Sequence, residues 1–170
     1  MVNCMYEYIN NFFLFSILGY CYENILQLIF HQRLSHNPFF FWWMPIYGFG
    51  VVIVMLLTRL IFNRLKQPRW VKIICLFLSC VVVLTLLEQL GGMIIEAFFH
   101  KSYWDYSKMK FHIGKYICLE VSLLWGVFCM IYLYLVKPRT DHLLKKVPKF
   151  VSLVLIVIFL CDFIYSFFLK

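Results

Sequence analysis

Residues 71–99, VKIICLFLSCVVVLTLLEQLGGMIIEAFF, carry one lysine near their start and two glutamates toward their end, and are otherwise mostly apolar. About 20 such residues suffice to carry a helix through hydrocarbon, so the run predicts a transmembrane helix. It is long for one crossing and contains Gly91-Gly92, so it is expected to tilt, kink or project beyond the membrane surface. Working outward, four more runs qualify, and the expected spans are 8–30, 45–62, 71–99, 113–136 and 150–169. The expected fold is all-α, a polytopic membrane helix bundle of about five transmembrane helices forming a single transmembrane domain over 1–170.

Composition agrees. Of 170 residues, 64% are apolar and 14% charged, against roughly 25% charged in an ordinary soluble domain. The net charge of +8 does not indicate nucleic acid, because the sixteen Lys and Arg residues sit almost entirely between the apolar runs, as in membrane proteins. Ten lie between, or in the facing ends of, spans two and three or four and five, and six (Arg33, Lys101, Lys108, Lys110, Lys115 and Lys170) lie on the other side. The positive-inside rule then places the N-terminus in and the C-terminus out. Glu7 and the absence of a basic n-region before the first run argue against a cleavable signal peptide. A multi-pass protein of a bacterial cell membrane is expected.

Seven cysteines are scattered without C-x-x-C spacing and read as small buried apolar residues. The five histidines, His31, His36, His100, His112 and His142, lack metal-ligand spacing, and no phosphate loop, nucleophile elbow or zinc helix motif is present. No metal, cofactor or catalytic residue is assigned.

Chemistry concentrates in acids. Glu23, Glu88, Glu96, Glu120 and Asp162 all fall inside apolar runs, where an ionisable group costs at least a few kcal/mol. With the predicted orientation they lie at mid-membrane or in the outward half. Helical spacing sets Ser16, Gly19, Tyr20, Glu23 and Gln27 on one face, Glu88, Gly92 and Glu96 on another, and His112, Tyr116 and Glu120 on a third. Asp162 stands with Tyr165 and Ser166. Gly19, Gly48, Gly91 and Gly92 are candidates for close helix packing. The apolar cores hold no Lys or Arg. The acids are therefore neutral, or reach edge bases such as Arg33 or Lys115, or form a cavity holding protons or a cationic ligand. Aromatic loops at 39–43 and 103–107, with Tyr47, Trp104 and Asp105, are expected at the mouth of that cavity.

The blocks Ser16-Ile17-Leu18-Gly19-Tyr20-Cys21-Tyr22-Glu23, Pro45-Ile46-Tyr47-Gly48-Phe49-Gly50, Leu87-Glu88-Gln89-Leu90-Gly91-Gly92, Trp104-Asp105-Tyr106-Ser107 and Gly114-Lys115-Tyr116-Ile117-Cys118-Leu119, with Ser122 and Trp125-Gly126, recur in one order. Across 16–126 they resemble the bacterial integral membrane family called putative ABC transporter type IV, or CmpB-like. That family usually carries Asn-Arg-Gly and Gly-Pro before PIYG, where this chain has His36-Asn37-Pro38-Phe39-Phe40-Phe41. It often has Asn and Gly-Arg where His112, Gly114 and Lys115 stand. The resemblance implies a transporter membrane subunit.

Three functions fit these residues. The first is a transport component, permease-like or substrate-capturing, with an outward acidic cavity and energy from a separate ATPase subunit or partner permease. The second is an intramembrane lipid-acting enzyme using Glu23, Glu88, Glu96 and Asp105. The third is a non-catalytic accessory membrane subunit whose acids face protein. Five spans favour a homo-oligomer or a partner permease.

Overall fold

The computed structural model describes residues 2–31 and 37–169, with side chains over 5–29 and 37–169. Arg33, His36, Lys170 and the His31 side chain, which entered the charge and histidine surveys, lie outside the described residues. Among the described residues five helices are long and apolar enough to cross a membrane: Met5–Ile29, Pro45–Arg64, Arg69–Phe99, Leu119–Leu144 and Lys149–Leu169. In lipid each backbone amide must find its partner within the chain, which is why every spanning stretch is helical.

In chain order the elements are α1 (Val2–His31), α2 (Pro45–Arg64), α3 (Arg69–Phe99), β1 (His112–Ile113), β2 (Ile117–Cys118), α4 (Leu119–Ile131), α5 (Lys137–Leu144) and α6 (Lys149–Ile164). π-helical turns follow α4 at Tyr132–Val136 and α6 at Tyr165–Leu169. Proline marks the starts. Pro45 is the first residue of α2, where its missing N–H costs nothing, while Pro68 and Pro148 precede α3 and α6 in extended backbone. α3 runs unbroken through Gly91-Gly92 and ends at His100, whose left-handed backbone (φ 52°) lets its N–H donate to the Glu96 carbonyl at 2.9 Å.

The fourth span differs from expectation. Its helix begins at Leu119, not at 113, because residues 112–118 form an antiparallel hairpin pairing His112 with Cys118 and Ile113 with Ile117. Gly114 turns the hairpin at φ 64°, a conformation that no right-handed helix contains. The Leu119 amide bonds back to the Phe111 carbonyl at 2.9 Å. His112, Tyr116 and Glu120 therefore do not share a helix face.

The chain forms two compact units, Met1–Val51 with Thr140–Lys170, and Val52–Arg139. In the first, α1 packs on α6. Phe13, Phe39 and Trp43 are buried there against Ile9, Phe12, Leu155, Ile156, Phe159 and Phe167. In the second, α3 packs on α4. Leu76, Cys80, Leu84, Glu88 and Gly92, each four residues on, form the buried stripe of α3. Leu78, Val82, Leu86, Leu90 and Ile94 form a parallel exposed row, and an apolar row left bare on a spanning helix is one that faces lipid.

Candidate functional site: carboxyl groups held by hydroxyl, indole and lysine donors

In the first unit, the first turn of α2 brings Tyr47 against α1. A side-chain carbon at Gly19 would meet the Tyr47 ring far inside van der Waals contact, so only glycine lets the ring pack this close to α1. The Tyr47 hydroxyl donates to Glu23 Oε1 at 2.5 Å. Tyr47→Phe keeps the ring and removes this donor. It is expected to lower stability by about 1–2 kcal/mol, read as thermal unfolding in mild detergent, and an unchanged transition would show that Glu23 is held elsewhere.

Asp162 has the densest set of partners. It is 3% exposed. Its oxygens accept from the Phe40 amide (2.9 Å), the Phe41 amide (3.0 Å), Trp43 Nε1 (2.8 Å) and the Ser166 hydroxyl (2.9 Å). Phenylalanines cannot cap a loop through their side chains, so this carboxyl satisfies the backbone of the aromatic segment that leads into α2. The sequence offers Asp162 as one of the candidate acids, and the structure shows it fastening a loop. The same unit buries polar residues that sequence reasoning passed over. Asn10 accepts from Ser152 at 2.6 Å, and the fully buried Asn11 donates to the Glu7 carbonyl at 2.9 Å. Their signal was present in the sequence as amides inside an apolar run.

In the second unit, Glu88 is 5% exposed in the α3 stripe and accepts from the Tyr106 hydroxyl at 2.8 Å. One turn on, Gly92 is covered by the Tyr116 ring, which a side-chain carbon there would meet at 2.5 Å. A further turn on, Glu96 takes Lys115 as an ion pair and Tyr116 as a hydroxyl donor. The ammonium's own hydrogen bond to Glu96 is the main reason that Lys115 is held above its ordinary pKa. Trp104 meets the Tyr116 ring edge-on at 6.1 Å between centroids. Glu88, Gly92, Glu96 and Trp104 are thus gathered by Tyr106, Lys115 and Tyr116 from the 100–118 connection. Gly91 is only half-buried.

Two candidates have local explanations. Asp105 accepts from the Ser107 amide (2.9 Å) and hydroxyl (2.6 Å), an Asx turn that shapes the exposed loop. Those two bonds, the hydroxyl's first, hold its pKa below the usual carboxylate range. Glu120, in the first turn of α4, accepts from the Cys118 thiol at 2.8 Å. Burial, with Glu120 second, pushes that thiol's pKa up. Among the described residues no group of three or more His, Cys, Asp or Glu could hold a metal ion. Trp104 Nε1, Gln27 Oε1 and Gln89 Oε1 are buried without a hydrogen-bond partner among the described residues.

Five apolar helices with ionisable groups held in hydrogen-bonded clusters make this a multi-pass membrane protein embedded in a bilayer. Its sequence from residue 10 to 167 matches the model of the family described as Putative ABC-transporter type IV, and the chain belongs to that family. No curated protein matches the chain. No solved structure matches it either.

Proposed function

We propose that the chain is the membrane component of a transport system, permease-like or substrate-capturing, whose intramembrane carboxyl groups handle protons or a cationic ligand. Family membership supports the transport class. The pairing of Glu23 with Tyr47 and Glu88 with Tyr106 supports the role of the acids and carries the reading. A phenolic hydroxyl can donate to a carboxylate or accept from a carboxylic acid. Each pair therefore keeps its hydrogen bond whether or not the proton is present, which suits a group that loads and unloads. The acidic cavity expected from the sequence is proposed here as one such cluster in each unit, with Glu96 and Trp104 gathered with Glu88 by the 100–118 connection and Asp105 and Glu120 on or next to that connection. The proposed setting is a bacterial cell membrane with the N-terminus inside. Energy is assigned to a separate ATPase subunit or partner permease, or to assembly with a second copy.

The experiment is gentle extraction, identification of co-purifying subunits, and reconstitution into vesicles containing a pH-reporting dye. Glu23→Gln and Glu88→Gln are expected to lower coupled proton flux on the order of a hundredfold, the scale of losing a proton-transfer group, while the protein stays assembled. If both variants leave flux and growth unchanged and a partner still co-purifies, transport through these residues is wrong. A second reading, an accessory subunit whose acids serve packing, draws on the donors that each acid finds inside its own unit. It predicts that unchanged result.

A further inference from the structure

Between Ser107 and Gly114 the chain reads Lys108-Met109-Lys110-Phe111-His112-Ile113, lysines alternating with apolar residues. Lys101, Lys108 and Lys110 are exposed. So are the apolar members, with Met109 at 42%, Phe111 at 54% and Ile113 at 71%. This exposure is imposed by a well-braced backbone. The Tyr106 amide bonds to the Lys115 carbonyl at 2.8 Å, Met109 to Tyr106 at 2.8 Å, and His112 Nδ1 contacts the Met109 carbonyl at 2.7 Å. Beneath, Tyr106 and Lys115 are tied to Glu88 and Glu96 of α3. A hairpin so fixed cannot turn its phenylalanine and isoleucine inward.

Its position is set by connectivity, since it joins the end of α3 to the start of α4, both spanning helices. The exposed tip must lie near the membrane surface. Apolar side chains there gain by entering the acyl boundary, while lysine stems reach back to the phosphate level. Lys101, Lys108 and Lys110 outnumber the two carboxylates within electrostatic reach, Asp105, engaged by Ser107 and near Lys108, and Glu120, engaged by Cys118 and near Lys110. A neutral surface would answer the apolar residues and leave the excess positive charge of the lysines uncompensated.

We propose that the hairpin at 108–113 is a docking surface for anionic phospholipid headgroups of the leaflet beside it, with Lys108 and Lys110 meeting the phosphates and Phe111 and Ile113 entering the acyl boundary. The inference is independent of transport. It is tested by hydrogen exchange on the full chain in phosphatidylcholine bilayers and in mixed phosphatidylcholine–phosphatidylglycerol bilayers. Exchange at 108–113 is expected to slow when phosphatidylglycerol is added. Lys108→Gln with Lys110→Gln should cut that slowing by roughly 25-fold, about fivefold per lysine near an anionic surface. Phe111→Ser with Ile113→Ser should abolish it, and α3 amides should stay protected in every variant. Equal exchange in the two bilayers would overturn the proposal. So would slowing produced by inorganic phosphate in pure phosphatidylcholine, which would mark a phosphate-ion site, or slowing that survives the lysine substitutions.

Discussion

Asp162→Ala is expected to lower the free energy of unfolding by about 3–5 kcal/mol, because it strands several buried donors at once. The carboxyl accepts from two backbone amides, an indole and a hydroxyl at 2.8 to 3.0 Å. Neither amide belongs to a helix or strand ladder, so neither has a ready substitute. Asp162→Asn keeps one acceptor oxygen and turns an amide toward a donor, so it should recover about half of the loss. Ser166→Ala removes one hydroxyl donor and should cost about 1 kcal/mol. Denaturant titration in detergent, followed by tryptophan fluorescence, separates the three, and Trp43 reports directly on the loop. A loss below about 1 kcal/mol for the alanine variant would mean that water replaces the carboxyl without penalty, contrary to the burial observed.

Gly48→Ala is expected to destabilise by about 2 kcal/mol net, although alanine favours a helix over glycine by about 1 kcal/mol. The added carbon would meet the backbone carbonyl of Phe12 at 2.6 Å and the Phe12 ring at 2.7 Å, besides the Ser16 hydroxyl. A backbone oxygen cannot rotate away, so α1 and α2 must separate there. Adding Ser16→Ala should restore little, since the carbonyl remains. Gly92→Ala is the comparison, because its obstacle is a side chain, the Tyr116 ring, met at 2.5 Å; that ring is 4% exposed and its hydroxyl is tied to Glu96, so it yields only in part. Its helix-propensity gain should offset only part of the displacement, leaving a smaller loss than at Gly48. Thermal unfolding of the two single variants checks the order, and a Gly92 variant weaker than the Gly48 variant would contradict it.

The helices were legible because a bilayer leaves the backbone little choice: apolar length alone foretold α2, α3 and α6 nearly to their ends. The spacing of Glu88, Gly92 and Glu96 likewise foretold one face, which the structure extends back through Leu84, Cys80 and Leu76. The start of α4 was not legible. Ile113, Tyr116, Ile117 and Cys118 are as apolar as a span, and only the positive φ of Gly114 and the pairing across it reveal a hairpin. Partners of the acids were harder still. Asp162 takes three of its four donors from residues about 120 positions away, and no local pattern encodes such a pairing. Tyr106 is expected from the sequence at the mouth of the cavity and Tyr116 on a face with His112 and Glu120; that their hydroxyls serve Glu88 and Glu96 depends on how the 100–118 connection folds back over α3.

The length of α3 divides its two glutamates between different solvents. At about 1.5 Å per residue, its 31 residues reach roughly 46 Å, some 16 Å more than the hydrocarbon is thick. Absorbing all of that by leaning would need an inclination near 50°, well beyond the roughly 20° average. Arg69, Trp70 and Lys72 mark one water boundary within the first turn, so the overhang falls at the opposite end. About twenty residues past that boundary is Gly92. Glu88 then belongs to the oil, where a neutral phenol is an apt companion, and Glu96 stands in the headgroup layer, where a lysine can meet it without leaving water.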